Sequence, residues 1–135
     1  MNPGSDQIKD ILEKARTIAI VGLSSNPDRP SHGVAKFLKE KGYKIIPVNP
    51  GEDSILDEKA YPDLESLPET PDIVDVFRRP EHAPEIVENA VKSDARIVWL
   101  QEGVISPEAF QIGRDKGLTM VMDRCMAKEY RRLME

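Results

Sequence analysis

Apolar positions in this chain follow two rhythms. Runs of five or six mostly apolar residues occupy 17–21, 43–48, 73–77, 96–100 and 118–122, and the stretches between them carry apolar residues three and four apart. A short run rich in β-branched residues and bounded by turn formers predicts a buried strand; the wider spacing predicts an amphipathic helix. A first helix opens at Ser5 with Ile8, Ile11, Leu12 and Ala15 on one stripe, after a frayed tail over residues 1–4. Ser31 caps a second, which buries Val34, Phe37 and Leu38 and ends at Gly42. Ala83 to Lys92 forms a third through Ile86, Val87, Ala90 and Val91. Ser106 and Pro107 hold the cap and first-turn positions of a fourth that Gly117 closes, and residues 127–134 make the last. The segment 49–71, rich in Pro, Asp and Glu, reads as a mobile flap with one helical turn at 63–67.

Strands alternating with helices, and apolar on both faces, predict an α/β fold: a doubly wound, five-stranded parallel sheet with helices on both faces. The expected strand order is 3-2-1-4-5. A chain of 135 residues accommodates one such domain. Ligands of these sheets bind beyond the carboxyl ends of the strands, which puts the loops beginning at Gly22, Asn49, Arg78, Gln101 and Asp123 on the shortlist.

Charge narrows the ligand. A net charge of −5 argues against a nucleic-acid surface, so an anionic ligand needs a local basic site. No apolar run approaches a membrane span, and no signal-peptide pattern opens the chain. The single cysteine, Cys125, rules out an internal disulfide and a thiolate zinc cluster and fits a cytoplasmic location. A partner protein or a homo-oligomer is compatible with all of this.

The first strand breaks at Gly22 into Leu23-Ser24-Ser25-Asn26-Pro27-Asp28-Arg29-Pro30 ahead of a helix N-terminus. That arrangement supplies peptide N–H groups, hydroxyls and a helix dipole to a phosphate, so the expected ligand is a small nucleotide. Only the first glycine of a dinucleotide fingerprint is kept, since Ser24 and Pro27 stand at the second and third positions. Asn49 ends the second strand where an NAD site carries Asp or Glu, and Glu52 and Asp53 follow where an NADP site needs a base. Coenzyme A or an acyl-CoA fits better, because its 3′-phosphate forbids an acidic ribose clamp and its roughly four negative charges call for basic residues. The binding candidates are Gly22, Ser24, Ser25, Arg29, Val48, Asn49, Pro50, Lys59, Arg78 and Gln101. Against them stand plainer readings: Gly22 as a strand exit, the serines as turn formers, Pro50-Gly51 as a bare turn, and Lys59 and Arg29 as solvated surface. Asp75, inside an apolar strand, requires a partner or an edge position, and a hydrogen bond to backbone or to a neighbouring arginine is the plainer reading against general-base work. Glu102 and Asp123 lie at the ligand end but lack a nucleophile, so no catalytic residue is assigned. Cys125 reads as a small packing residue or as a partner for the CoA thiol.

Six motifs in order carry a resemblance: Val21-Gly22-Leu23-Ser24 with Asn26-Pro27, Arg29-Pro30-Ser31 and Val34-Ala35; Gly42-Tyr43 with Ile46-Pro47-Val48-Asn49-Pro50; Lys59-Ala60-Tyr61-Pro62; Asp75-Val76-Phe77-Arg78-Arg79-Pro80-Glu81; Trp99-Leu100-Gln101-Glu102-Gly103-Val104; and Met122-Asp123-Arg124-Cys125. The chain resembles small stand-alone CoA-binding domain proteins, relatives of the CoA-binding domain of the succinyl-CoA synthetase α subunit. The resemblance implies CoA binding on a Rossmann-like fold, without implying a reaction. At His32 the chain departs from the aromatic residue common among such proteins, which puts a stacking role there in question. The alternatives are a CoA-binding subunit of a ligase or acyltransferase completed by a partner chain, and an NAD-binding regulatory domain.

Overall fold

The computed structural model describes residues 2–135. In chain order the elements are α1 (Ser5–Lys14), β1 (Thr17–Val21), α2 (Pro30–Glu40), β2 (Lys44–Val48), β3 (Ser54–Ile55), β4 (Glu58–Lys59), β5 (Ile73–Val76), α3 (Ala83–Lys92), β6 (Ile97–Leu100), α4 (Pro107–Asp115), β7 (Thr119–Val121) and α5 (Met126–Met134). Short 3₁₀ turns occupy Leu64–Ser66 and Pro80–His82.

Alternation along the strands sends side chains into two cores. Ile18, Ile20, Ile45, Ile73, Trp99 and Val121 pack against Ile8, Ile11 and Leu12 of α1, Ala35 and Leu38 of α2, and Met126 of α5. Ala19, Val21, Val74, Val76, Val98, Leu100 and Met120 pack against Ile86, Val87 and Ala90 of α3 and Ala109 and Phe110 of α4. A sheet so covered on both faces is the Rossmann-like α/β fold. Trp99 is fully buried, and its indole N–H donates to the Arg124 carbonyl at 2.8 Å.

The strand order corrects the expected 3-2-1-4-5. Five parallel strands run β2-β1-β5-β6-β7, so the third core strand, β5, pairs with β1 and not with β2. Two physical reasons fix this. Pro47 lies in β2 with its carbonyl turned outward to the Tyr61 N–H at 3.0 Å. Its missing N–H falls on that same outer side, which suits an edge strand and not a central one. Secondly, the segment after β2 lays Leu64 and Leu67 onto the α3/α4 face, whereas α2 crosses on the other. A right-handed crossover on the opposite face runs in the opposite direction, carrying β5 past β2 to the far side of β1. The Asp72 N–H donates to the Thr17 carbonyl at 2.9 Å, and the Asp72 carboxylate accepts from the Arg16 and Thr17 N–H groups, pinning the register.

Smaller differences concern caps and connections. Gly4 and Arg29 are the N-cap residues of α1 and α2, so Ser5 and Ser31 fall inside their helices. Asn2 is hydrogen-bonded in both directions to Met122, its Nδ2 donating to the carbonyl and its Oδ1 accepting the N–H, each at 2.8 Å, so the expected tail is anchored there. The segment read as a flap holds the antiparallel β3–β4 pair and the Val48–Tyr61 bridge besides the expected helical turn. Two-residue strands leave no hydrophobic period by which to find them.

Candidate functional site

With this order the chain leaves β1 toward β2 across one face and reaches β5 across the other, so the crevice at the switch point lies between the loops after β1 and β5. The two loops meet closely. Gly22 has φ +87°, and a Cβ there would stand 2.3 Å from the Phe77 carbonyl oxygen and 2.9 Å from Arg78 Cδ. Glycine is therefore demanded by the neighbouring backbone, independently of any ligand.

The loop from Leu23 to Arg29 is held by its own side chains. Ser31 Oγ accepts the Ser24 N–H at 3.0 Å, Ser24 Oγ accepts the Asn26 N–H at 3.0 Å, and Asn26 Oδ1 accepts the Asp28 N–H at 2.9 Å. His32 Nδ1 lies 2.9 Å from the Ser24 carbonyl. A carbonyl only accepts, so Nδ1 carries the proton and donates, leaving Nε2 as the free ring nitrogen. From β2, Asn49 Nδ2 donates to the Leu23 carbonyl at 2.9 Å. Its Oδ1 accepts the Gly51 N–H at 2.8 Å, which fixes the Pro50-Gly51 turn. The Leu23 and Ser25 N–H groups have no acceptor among the described residues. Alone among the five α-helices, α2 has no acid in its first turn. Within the helix nothing offsets the partial positive charge of its N-terminus, although Asp28 stands just before the N-cap. A second acid reaches the loop from outside: Ser25 Oγ donates to Glu52 Oε1 at 2.6 Å.

Beside the loop, a cleft of about 250 Å³ opens among Val21, Val48, Pro62, Asp63, Leu64, Arg78, His82, Glu85, Ile86 and Asn89. Val21, Val48, Leu64 and Ile86 give it an apolar floor under a polar rim of mixed charge: Arg78, His82 and Asn89 bring a cation, an imidazole and an amide, and Asp63 and Glu85 bring two carboxylates. On the other side of the crevice, Gln101 follows β6 and begins a turn in which Val104 N–H donates to the Gln101 carbonyl at 2.8 Å and Gly103 has φ +87°. The Gln101 amide donates to Asp75 Oδ1 at 2.6 Å, so Asp75 has the partner its burial requires. Burial pushes the Asp75 carboxyl up to about 8, and the Gln101 amide and the Val76 backbone N–H oppose this only in part. A depression of about 380 Å³ lined by Ile11, Asp72 and Arg96 lies at the opposite, amino ends of the strands. Ligands of parallel sheets are not held there.

The structure therefore gathers Gly22, Ser24, Ser25, Val48, Asn49, Pro50 and Arg78 around one crevice, with Arg29 at the α2 N-cap and Gln101 on the β6 side. Lys59 is not brought to the cleft; it is exposed beside β2, its Nζ 5.3 Å from the centre of the Tyr61 ring. Cys125 is half-buried at the N-cap of α5, and neighbouring Arg124 is turned toward Glu129, Nε to Oε1 3.7 Å. Sequence reasoning missed the bracing roles of Ser31 and His32, the intrusion of Glu52, and the cleft wall from Pro62 to Leu64 with Ile86 and Asn89. The spacing of Ile86 and Asn89, three apart on α3, was the one legible signal for that wall.

Comparison with known proteins agrees with this geometry. Residues 16–131 match the model of the CoA binding domain family. The uncharacterized protein YneT of Bacillus subtilis is 45% identical over 125 residues, 93% of each chain. A solved hypothetical protein from Pyrococcus horikoshii superposes with a TM-score of 0.96 at 37% identity, covering 98% of this chain and 94% of that one. An ADP-forming acetate–CoA ligase of Archaeoglobus fulgidus is 31% identical over 74 residues, which are 53% of this chain but 11% of the ligase. Matched over nearly its whole length, the chain belongs to the CoA-binding domain family.

Proposed function

We propose that this protein binds coenzyme A or an acyl-CoA non-covalently in the crevice at the carboxyl ends of β1, β2 and β5. The observation that carries the reading is the Leu23–Arg29 loop, rigidified by five side chains and set before the one helix whose first turn is free of acid. The diphosphate of CoA suits that N-terminus and the exposed, unengaged Ser25 N–H group. The adenine suits the apolar floor of the cleft beside it, where Asn89 offers an amide to the base edge and Arg78 a guanidinium to the 3′-phosphate. No reaction is assigned: Ser24, Asn26, Ser31, His32 and Asn49 are engaged in holding backbone, and the one hydroxyl set beside a carboxylate, Ser25 on Glu52, is an exposed pair with no third side chain orienting it among the described residues. The single, unpaired Cys125 accords with a cytoplasmic setting.

A second reading is favoured by the ligase similarity: the domain supplies the CoA half of a ligation completed by a partner chain. Titration calorimetry with CoA, dephospho-CoA and NAD tests the main proposal. CoA is expected to bind most tightly, and NAD binding as tight as CoA overturns it. Copurification with a second chain that confers CoA ligation would establish the second reading.

A further inference from the structure

Asp75 lies in β5 and Gln101 directly follows the neighbouring β6, on the face covered by α1, α2 and α5 and next to the loops of the crevice. Asp75 is wholly buried and Gln101 is 2% exposed. Gln101 Nε2 donates to Asp75 Oδ1, and Asp75 Oδ2 is the one sealed side-chain polar atom without a partner among the described residues. Across the strands from Asp75 stand Ile20 and Trp99. An apolar residue at this position would fill the core without the desolvation cost of a half-bonded carboxyl, so packing does not account for Asp75.

No charged side chain acts on the carboxyl; Gln101 and the Val76 N–H are its polar neighbours. The charged residues of α1 point to solvent. From α2, His32 is turned to the Ser24 carbonyl. From the α5 side, Glu129 is bonded to Arg132 and paired with Arg124, which leaves Cys125 at the helix start. Titration of the carboxyl is thus reported chiefly by the Gln101 amide.

A primary amide has a donor edge and an acceptor edge. An ionised Asp75 can only accept, so it holds Nε2 and keeps Oε1 as the free acceptor; a protonated Asp75 gains an O–H that Oε1 can accept once the amide turns over, and that turn frees the NH₂ group. Resting on the proposed CoA site, we propose that Asp75 is a positioning residue: it sets which edge of the Gln101 amide faces the strand-end crevice, and so selects the hydrogen-bond polarity presented to the amide-bearing arm of the ligand. Burial, which raises the Asp75 carboxyl to about 8, puts the change of edge near neutral to mildly alkaline pH.

The test is calorimetry with dephospho-CoA, which removes the 3′-phosphate titration, from pH 6.5 to 9. Wild-type affinity is expected to change about three- to tenfold across this range, the worth of one hydrogen bond. The step should vanish in Asp75→Asn and in Gln101→Met. In parallel, side-chain amide resonances of ligand-free wild type are followed, and the Gln101 pair should move with a single midpoint. Binding with a pH profile unchanged in Asp75→Asn overturns the inference, as do Gln101 resonances that stay fixed, which needs no variant to fold. Absence of any binding by wild type defeats the CoA reading itself, and the inference with it.

Discussion

Asn49, at the carboxyl end of β2, ties its side-chain amide to the Leu23 carbonyl in the loop after β1. Both ends of the amide are engaged, since Oδ1 also holds the Gly51 N–H. The residue that in a dinucleotide site clamps a ribose here braces one ligand loop against another. Replacing it by Leu removes both bonds and strands a partly buried carbonyl, so Asn49→Leu is expected to cost about 1–3 kcal/mol of stability. Denaturant unfolding measures the cost, and hydrogen exchange should show faster exchange confined to residues 22–31 and 49–52.

Glu52 sits against the same loop through Ser25 Oγ, placing a negative charge where an anionic ligand would approach. Removing the charge and keeping the shape isolates the electrostatic effect. Glu52→Gln is expected to tighten CoA binding several-fold at low salt, about 0.5–1 kcal/mol, with the gain shrinking as ionic strength rises. Calorimetry at two salt concentrations checks it, and weaker binding would show that the acid itself contacts the ligand.

Arg78 lines the cleft with its aliphatic stem against the Gly22 loop. Arg78→Ala should weaken CoA by about 1.5–3 kcal/mol, the value of a charge-assisted contact, and dephospho-CoA by much less. Equal losses for the two ligands would assign the guanidinium to the diphosphate.

Gly22 is constrained twice, by its left-handed φ of +87° and by the 2.3 Å that would separate a Cβ from the Phe77 carbonyl oxygen. The first costs a non-glycine residue about 1–2 kcal/mol, and the second forces the β1 and β5 loops apart. Gly22→Ala is expected to lose at least about 3 kcal/mol, read by urea unfolding, and to abolish ligand binding in whatever fraction folds.

The sequence made the α/β class legible because Thr17–Val21 and its counterparts are nearly pure apolar runs while the helices between them keep one stripe. It also made legible most of the crevice, since strand-end loops can be located from strand ends alone. Pro47 held the missing information on strand order: a proline inside β2 marks an edge, and an edge position rules out pairing β5 on that side. What stayed hidden was long-range. The Ser25–Glu52 contact spans 27 residues, Asn49–Leu23 spans 26 and Asp75–Gln101 spans 26, distances over which periodicity carries no signal.

Asp75 also governs how stability depends on pH. Its carboxyl has an ordinary value of 3.8, which applies to the unfolded chain, and about 8 in the fold, the shift coming from burial. Between those values the folded state holds a proton that the unfolded state has released, so unfolding is favoured progressively as pH rises. The full contribution of the neutral, buried carboxyl is present below pH about 4 and is lost as pH climbs toward about 8, beyond which both states are ionised and the slope ends. This runs opposite to the usual behaviour of a salt-bridged carboxylate, whose stabilisation is lost in acid. Asp75→Asn keeps a neutral group of the same shape beside Gln101 and removes the proton linkage. The variant is therefore expected to gain on wild type steadily from pH 5 to pH 8, with the difference between them constant above pH 9. Urea unfolding at pH 5, 7 and 9 measures it, and a difference between the two proteins that does not grow with pH would show that Asp75 is ionised in the native core.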